Sequence, residues 1–248
     1  TSVGNNGTWS MTIPAAELQA LDQGPVDLVF HSTDAQGNRS ERIISVDVHT
    51  DPAAAPTLTL NAMYNDNIVS RAEAGDTAII SGNATGLANG TIVTLTIGTQ
   101  TFTGSVTDGV WTVGIPPNQL TTSGQLAVTV SAADVWNNPA TATTVLDVVL
   151  AQPTATLPGI LFGDNFVGQA EAGATAQLTG STGQSGPGQT VKITFDGNQD
   201  VFGTVDVNGN WSVVLDTTLL QNLTDGTHSV TVTVGDRAGN TTTSSPAN

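Results

Sequence analysis

The chain contains no cysteine, so neither a disulfide framework nor a thiolate metal site holds its fold together. It carries 5 Lys and Arg against 21 Asp and Glu, a formal charge of −16 over 248 residues. That imbalance argues against nucleic acid and anionic membranes as partners and favours cations. No apolar run approaches the roughly 20 residues that span a bilayer. The first residues also lack the basic and apolar regions of a signal peptide, so export calls for a signal outside this segment. Catalytic signatures are missing as well. There is no Gly-x-Ser-x-Gly elbow, no His-Glu-x-x-His and no phosphate loop, and His31, His49 and His228 share neither a repeat position nor a metal-ligand spacing. A non-catalytic role is the expectation. Hydrophobic residues make up 38% of the chain and charged ones only 10%, which suits a folded protein rather than an acidic disordered tail.

What the chain does have is an internal repeat of about 100 residues. Asn6-Gly7-Thr8-Trp9, Asp108-Gly109-Val110-Trp111 and Asn208-Gly209-Asn210-Trp211 are one hairpin turn entering one strand, three times over. A second marker follows each: Asp34-Ala35-Gln36-Gly37-Asn38, Asp134-Val135-Trp136-Asn137-Asn138 and Asp236-Arg237-Ala238-Gly239-Asn240. A third occurs twice, as Asp66-Asn67 with Glu73-Ala74-Gly75 and as Asp164-Asn165 with Glu171-Ala172-Gly173. Between the markers, short alternating runs are separated by turn residues. In the middle repeat they predict strands near 56–62, 77–82, 91–97, 101–107, 110–115, 125–133 and 140–149. The reading is all-β: tandem seven-stranded immunoglobulin-like sandwiches in a linear rod. Residues 53–152 and 153–248 form two domains, and residues 1–52 supply the last three strands of another whose beginning lies outside the segment. Trp9, Trp111 and Trp211 are expected in the cores, with Val93, Leu95, Val128 and Val130 among the inward positions. Helix is expected only as a short turn at 14–21.

The acidic residues concentrate where domains would meet. Parity carries the inward series Leu126, Val128, Val130, Ala132 on to Asp134, and Val230, Val232, Val234 on to Asp236, which sets both carboxylates on the core side of a domain end. Two readings stand side by side. Either the Asp of each Asp-x-x-Gly-Asn turn closes the turn through its own side chain, or it joins a cation at the joint. Sandwich topology brings Asp134 toward Asp47 and Asp51 of the first joint, and Asp236 toward Asp147 of the second, with Glu73 facing that second joint. Asp66 and Asp164 join the joints, form separate loop sites or are exposed polar turns. The second joint replaces an acidic linker residue with Ala151-Gln152, so tighter ion binding is expected at the first. Trp136 stands alone at a domain tip, where it packs on the linker or stacks on a sugar.

The order Pro56-Thr57-Leu58-Thr59-Leu60, Asn65-Asp66-Asn67, Ala72-Glu73-Ala74-Gly75, Gly-x-Trp-Ser/Thr and Asp-x-x-Gly-Asn resembles the bacterial Ig-like repeats of giant adhesins exported by type I secretion, including the BapA and SiiE types. The resemblance implies a secreted, surface-exposed stalk that attaches bacteria to host cells or within biofilms. It also implies Ca²⁺ held between domains by Asp47, Asp51, Asp134, Asp147 and Asp236; Asp34 occupies the matching turn of the first repeat. The partners it implies are neighbouring repeats of the same chain and, through the parent protein, host glycan or protein. No nucleic acid, no membrane insertion and a monomeric state complete the expectation. A glycan- or protein-binding module and an accessory sandwich of an extracellular hydrolase are the alternatives.

Overall fold

The computed structural model describes every residue except 1–5, 52–54, 158, 160, 184–187 and 248. The expected boundary at 52/53 lies outside the described residues. Within the first 50 residues a short helix, α1 (Ala15–Gln19), precedes a two-stranded antiparallel hairpin of β1 (Gly24–Thr33) and β2 (Arg39–Val48). The middle repeat holds β3 (Thr57–Leu58), β4 (Ile68–Ser70), α2 (Arg71–Ala74), β5 (Ala78–Thr85), β6 (Ile92–Ile97), β7 (Gln100–Thr107), β8 (Val110–Ile115), β9 (Gly124–Ala133) and β10 (Pro139–Val149). Then follow α3 (Gln169–Ala172), β11 (Ala176–Ser181), β12 (Thr190–Phe195), β13 (Gln199–Val205), β14 (Asn210–Leu215), α4 (Thr217–Asn222), β15 (Val230–Gly235) and β16 (Thr241–Thr243). Among the described residues no helix is long and apolar enough to cross a membrane.

Period-two alternation is clearest in β6, β8 and β14, which bury every second side chain. Strand order in the middle repeat is β3-β5-β8-β7-β6-β9-β10-β4, and in the last β11-β14-β13-β12-β15-β16. β7 pairs with β6 through Gln100–Ser105 and with β8 through Ser105–Thr107, so one strand passes from one layer of the sandwich to the other. Val93, Leu95, Trp111, Val113, Val128 and Val130 are fully buried between the layers. Val191, Ile193, Phe195, Trp211, Val213, Val232 and Val234 repeat this arrangement around a second core.

The expected first strand of the middle repeat is split. Thr57–Leu58 pairs with β5, whereas Ile68–Ser70 runs parallel to the end of β10 in the opposite layer. A tight turn makes the switch possible. Tyr64, Asn65 and Asn67 take left-handed backbone angles, and the Asn67 side chain accepts a hydrogen bond from the Met63 amide at 2.9 Å. Leu161 and Asn165 form the same bond at 2.7 Å in the last repeat. Helix content also exceeds the expectation, because each Glu-Ala-Gly marker closes a single helical turn and α4 crosses between β14 and β15.

Hairpin register repeats faithfully. Gly24 stands opposite Val48, and Gly124 opposite Val148, so β1–β2 and β9–β10 are the same hairpin displaced by one repeat. Their surroundings differ. Three strands were expected from residues 1–52, but Trp9 lies outside any strand and is 52% exposed, its ring tilted 45° to that of Phe30 at a centroid separation of 5.3 Å. Core placement of Trp9 is therefore corrected: no second layer among the described residues covers this hairpin, and Val29, Ile43 and Ile44 are open as well.

Trp111 and Trp211 are equally buried yet differently satisfied. The Trp111 indole donates to the Thr59 carbonyl at 2.8 Å, whereas Trp211 Nε1 has no hydrogen-bond partner among the described residues. Gly82 makes the first bond possible, since a Cβ there would fall 1.9 Å from the Thr59 oxygen. We predict that Trp111→Phe destabilises its domain by about 2 kcal/mol, through a lost bond and a small cavity, and Trp211→Phe by less. Hydrogen exchange of β8 and β14 amides resolves the two domains, and the reverse ranking refutes the account.

A second prediction concerns His228, which ties the crossover before β15 to the β12–β13 turn. Its Nδ1 lies 2.6 Å from Asp196 Oδ2 and its Nε2 2.6 Å from the Thr224 carbonyl. The hydrogen bond to Asp196, then that to Thr224, raises the imidazole pKa above its ordinary value, and the same contact lowers that of Asp196. A raised folded-state pKa contributes stability that is complete below the unfolded value of about 6.5 and is lost as pH rises through the folded value. The last domain is therefore expected to melt lower at about pH 8.5 than at about pH 6, and His228→Gln to flatten that difference.

Candidate functional site: the two joints between domains

Each Asp-x-x-Gly-Asn turn is built alike. Oδ1 of the Asp accepts the amides two and four residues on, and Oδ2 accepts the Asn side chain. For Asp34 the distances are 2.9, 2.8 and 2.8 Å; for Asp134, 2.9, 2.8 and 2.9 Å; for Asp236, 2.9, 3.0 and 2.8 Å. The fourth residue needs a left-handed backbone and is Gly37, Asn137 or Gly239. A fourth copy, missed in the sequence, sits at Asp206–Asn210 between β13 and β14, at the same end of the last domain as Asp236; Asp206 accepts at 2.8, 2.9 and 3.3 Å, all from its own turn. Because the same bonds form there, the motif is a turn in its own right. The Asn38 side chain and backbone depress the Asp34 pKa, and the Asn210 backbone does so for Asp206. At Asp134 desolvation pulls upward, but the bonds from Asn138 and Trp136 and the field of His49 prevail and lower it.

At the second joint the middle domain meets the turn of the last. Arg237 Nη2 lies 2.7 Å from Asp147 Oδ2, a partly buried pair. Asn240, 6% exposed, makes two contacts across the seam. Its Oδ1 accepts the Arg71 amide at 2.8 Å and its Nδ2 donates to the Val149 carbonyl at 2.8 Å, while the same nitrogen holds Asp236. Arg71 opens α2, so its amide is among those a helix start leaves unpaired. Asp236, as parity implied, is buried at 8% exposure, but its oxygens face its own turn.

The first joint is organised differently. His49 stacks on Trp136 with centroids 3.9 Å apart and planes 20° from parallel. Its Nε2 lies 3.2 Å from Asp47 Oδ2, off the direction of a hydrogen bond. Gln23 secures the linker by accepting the Thr50 and Asp51 amides at 2.8 and 3.1 Å. Trp136 thus packs on the linker, the first of the two roles its position suggested. His49 and Gln23 carry no motif, and only their place beside the linker hints at this work.

The remaining acids have local duties. Glu73 Oε2 accepts the Ser70 amide and hydroxyl at 2.9 and 2.8 Å in a capping box. Asp66 and Asp164 accept the amides of Ile68 and Phe166 at 2.9 Å, which is the exposed polar turn among the alternatives. Among the described residues no three His, Asp or Glu side chains gather as a metal-binding group. Calcium takes six to eight oxygens, and here the second joint offers Asp147 against a guanidinium and Asp236 with its oxygens engaged. As arranged, these residues of the second joint do not fit Ca²⁺.

Comparison with known proteins follows this geometry. The bacterial Ig-like domain family matches residues 165–248. Comparison with curated proteins gives no match. Among solved structures, a Ca²⁺-stabilized adhesin with which an Antarctic bacterium binds ice is 30% identical, over 98% of this chain and 60% of that one, with a TM-score of 0.42. This chain thus spans 60% of that protein's length. A segment of a 1.5-MDa bacterial ice-binding adhesin is 27% identical over 97% and 78% of the two chains, with a TM-score of 0.43. An Ig-like domain of the M. primoryensis ice-binding adhesin is 29% identical over 39% and 96%, at 0.30.

Trp136→Ala removes a stack worth about 0.5–1.5 kcal/mol and should speed limited proteolysis in the linker between His49 and Pro56 by about two- to tenfold, leaving the middle domain's melting unchanged. Unchanged cleavage would mean that Gln23 alone secures the linker. Residues 165–248 thus match the bacterial Ig-like domain family, and the middle repeat follows a similar strand order.

Proposed function

We propose that this chain is a non-catalytic spacer segment of a large bacterial surface adhesin, exported from the cell and working as a monomer with neighbouring repeats of the same chain. The observation that carries the proposal is the second joint, where a turn of one sandwich is hydrogen-bonded to the end of the one before it. Domains 53–152 and 153–248 are linked there by side chains from both, a means of setting distance and direction rather than of holding a ligand. The similar proteins described as adhesins support this reading, as does the repetition of one hairpin register along the chain. Attachment to host cells, biofilm or another surface belongs to the parent protein's other parts. Calcium is named for one similar adhesin, and the sequence placed it at both joints here. Since the residues of the second joint are arranged around other partners, the stiffness proposed there is not routed through the ion.

A spacer is defined by its length. Replacing residues 53–152 in the parent protein by an unrelated Ig-like domain of equal length should leave adhesion intact, and deleting them without replacement should weaken it. Adhesion lost on equal-length replacement would assign direct binding to the segment, with Trp136 the first residue to substitute.

A further inference from the structure

We infer that the joint between the middle and last domains is locked without a metal: Arg237 takes the cation's place against Asp147, and Asn240 ties the two backbones together. Three observations converge. First, Asp147 is the acid that the strand pattern sends to this seam, and its side chain is only 19% exposed, so it requires a positive partner. Arg237 reaches it at 2.7 Å from the second position of the facing turn. The chain has only 5 Lys and Arg, and one of them is placed here.

Second, Asn240 is an adaptor with both polarities in use. A carboxylate in its place would accept the Arg71 amide but repel the Val149 carbonyl, whereas an amide satisfies both. The bonds go to main chain, so they fix position irrespective of the side chains around them. Third, the Asn240 amide is oriented by Asp236, whose Oδ2 receives the same Nδ2 at 2.8 Å. A cation recruited to Asp236 Oδ2 would draw on the oxygen that orients Asn240. Metal binding and this lock therefore compete for the same atoms. The other turns show that the lock is specific: position two is Ala35 or Val135 there, neither of which can pair with an acid.

The chain lacks cysteine, so Thr103→Cys and Thr204→Cys, both at exposed strand positions, introduce two spin labels on the middle and last domains. Pulsed EPR is expected to give one narrow distance distribution, the same in millimolar Ca²⁺ and in EDTA. Arg237→Ala and Asn240→Ala should each lose the narrow peak, and the exchange Asp147→Arg with Arg237→Asp should recover it. Broadening of the otherwise unsubstituted chain in EDTA overturns the inference, as does an unchanged distribution in both alanine variants. Asn240 also braces its own turn, so the charge exchange, which leaves that turn intact, decides the matter if the Asn240 variant unfolds. The inference rests on the same joint as the spacer reading, but the two experiments fail separately. A calcium-dependent joint would fail this experiment while the segment still passed the equal-length replacement.

Discussion

A carboxylate that accepts three N–H groups from its own turn is the contact on which the joints depend. A chain with 21 acids and 5 strong bases cannot pair its anions with cations one by one. Here Asp34, Asp134, Asp206 and Asp236 draw on backbone amides and an asparagine instead, at 2.8–3.3 Å. At Asp34, Asp134 and Asp206 these bonds favour the ionised form, and in all four turns they hold the loop in one shape. Once the loop is fixed, the residues it displays are fixed as well. Trp136 is presented to His49, and Arg237 and Asn240 to the end of β10. The joints differ because the same turn displays different side chains.

Much of the fold was legible in the residues because its signals are local. Alternation along β6, β8 and β9 named the core positions, and the spacing of the Trp and Asp markers gave the repeat. The Asp turn was legible as one of two readings, and the four copies, Asp206 included, all close through the same local bonds. Parity was informative for Asp236, which is buried, but a strand pattern gives the side of a residue and not its partner. What stayed hidden depends on pairing over long sequence separations. Arg237 and Asp147 are 90 residues apart, and Asn240 and Val149 are 91 apart. Neither distance leaves a motif. Trp9 shows the limit of arguing by repeat position: it shares a motif with Trp111, but among the described residues no opposing layer buries it.

The two joints also divide their chemistry. One rests on an aromatic stack and a glutamine that holds the linker backbone. The other rests on an ion pair and an amide that joins two main chains. Screening by salt reaches exposed charges far more than a stack, so ionic strength acts unevenly along the chain. Asp147 is the more sheltered partner of its pair, which limits that screening at the second joint.

The split first strand of the middle repeat has a mechanical consequence. Ile68, Val69 and Ser70 lie parallel to Asp147, Val148 and Val149, and the Asp147 amide also reaches the Asn67 carbonyl at 2.9 Å. A segment near the start of the domain is thereby bonded side by side to its last strand. Tension applied through the two ends draws these neighbours past each other, so the bonds bear the load together in shear instead of opening one after another like a zipper. The arrangement that closes the sandwich edge also makes the domain a link that resists being pulled out of line.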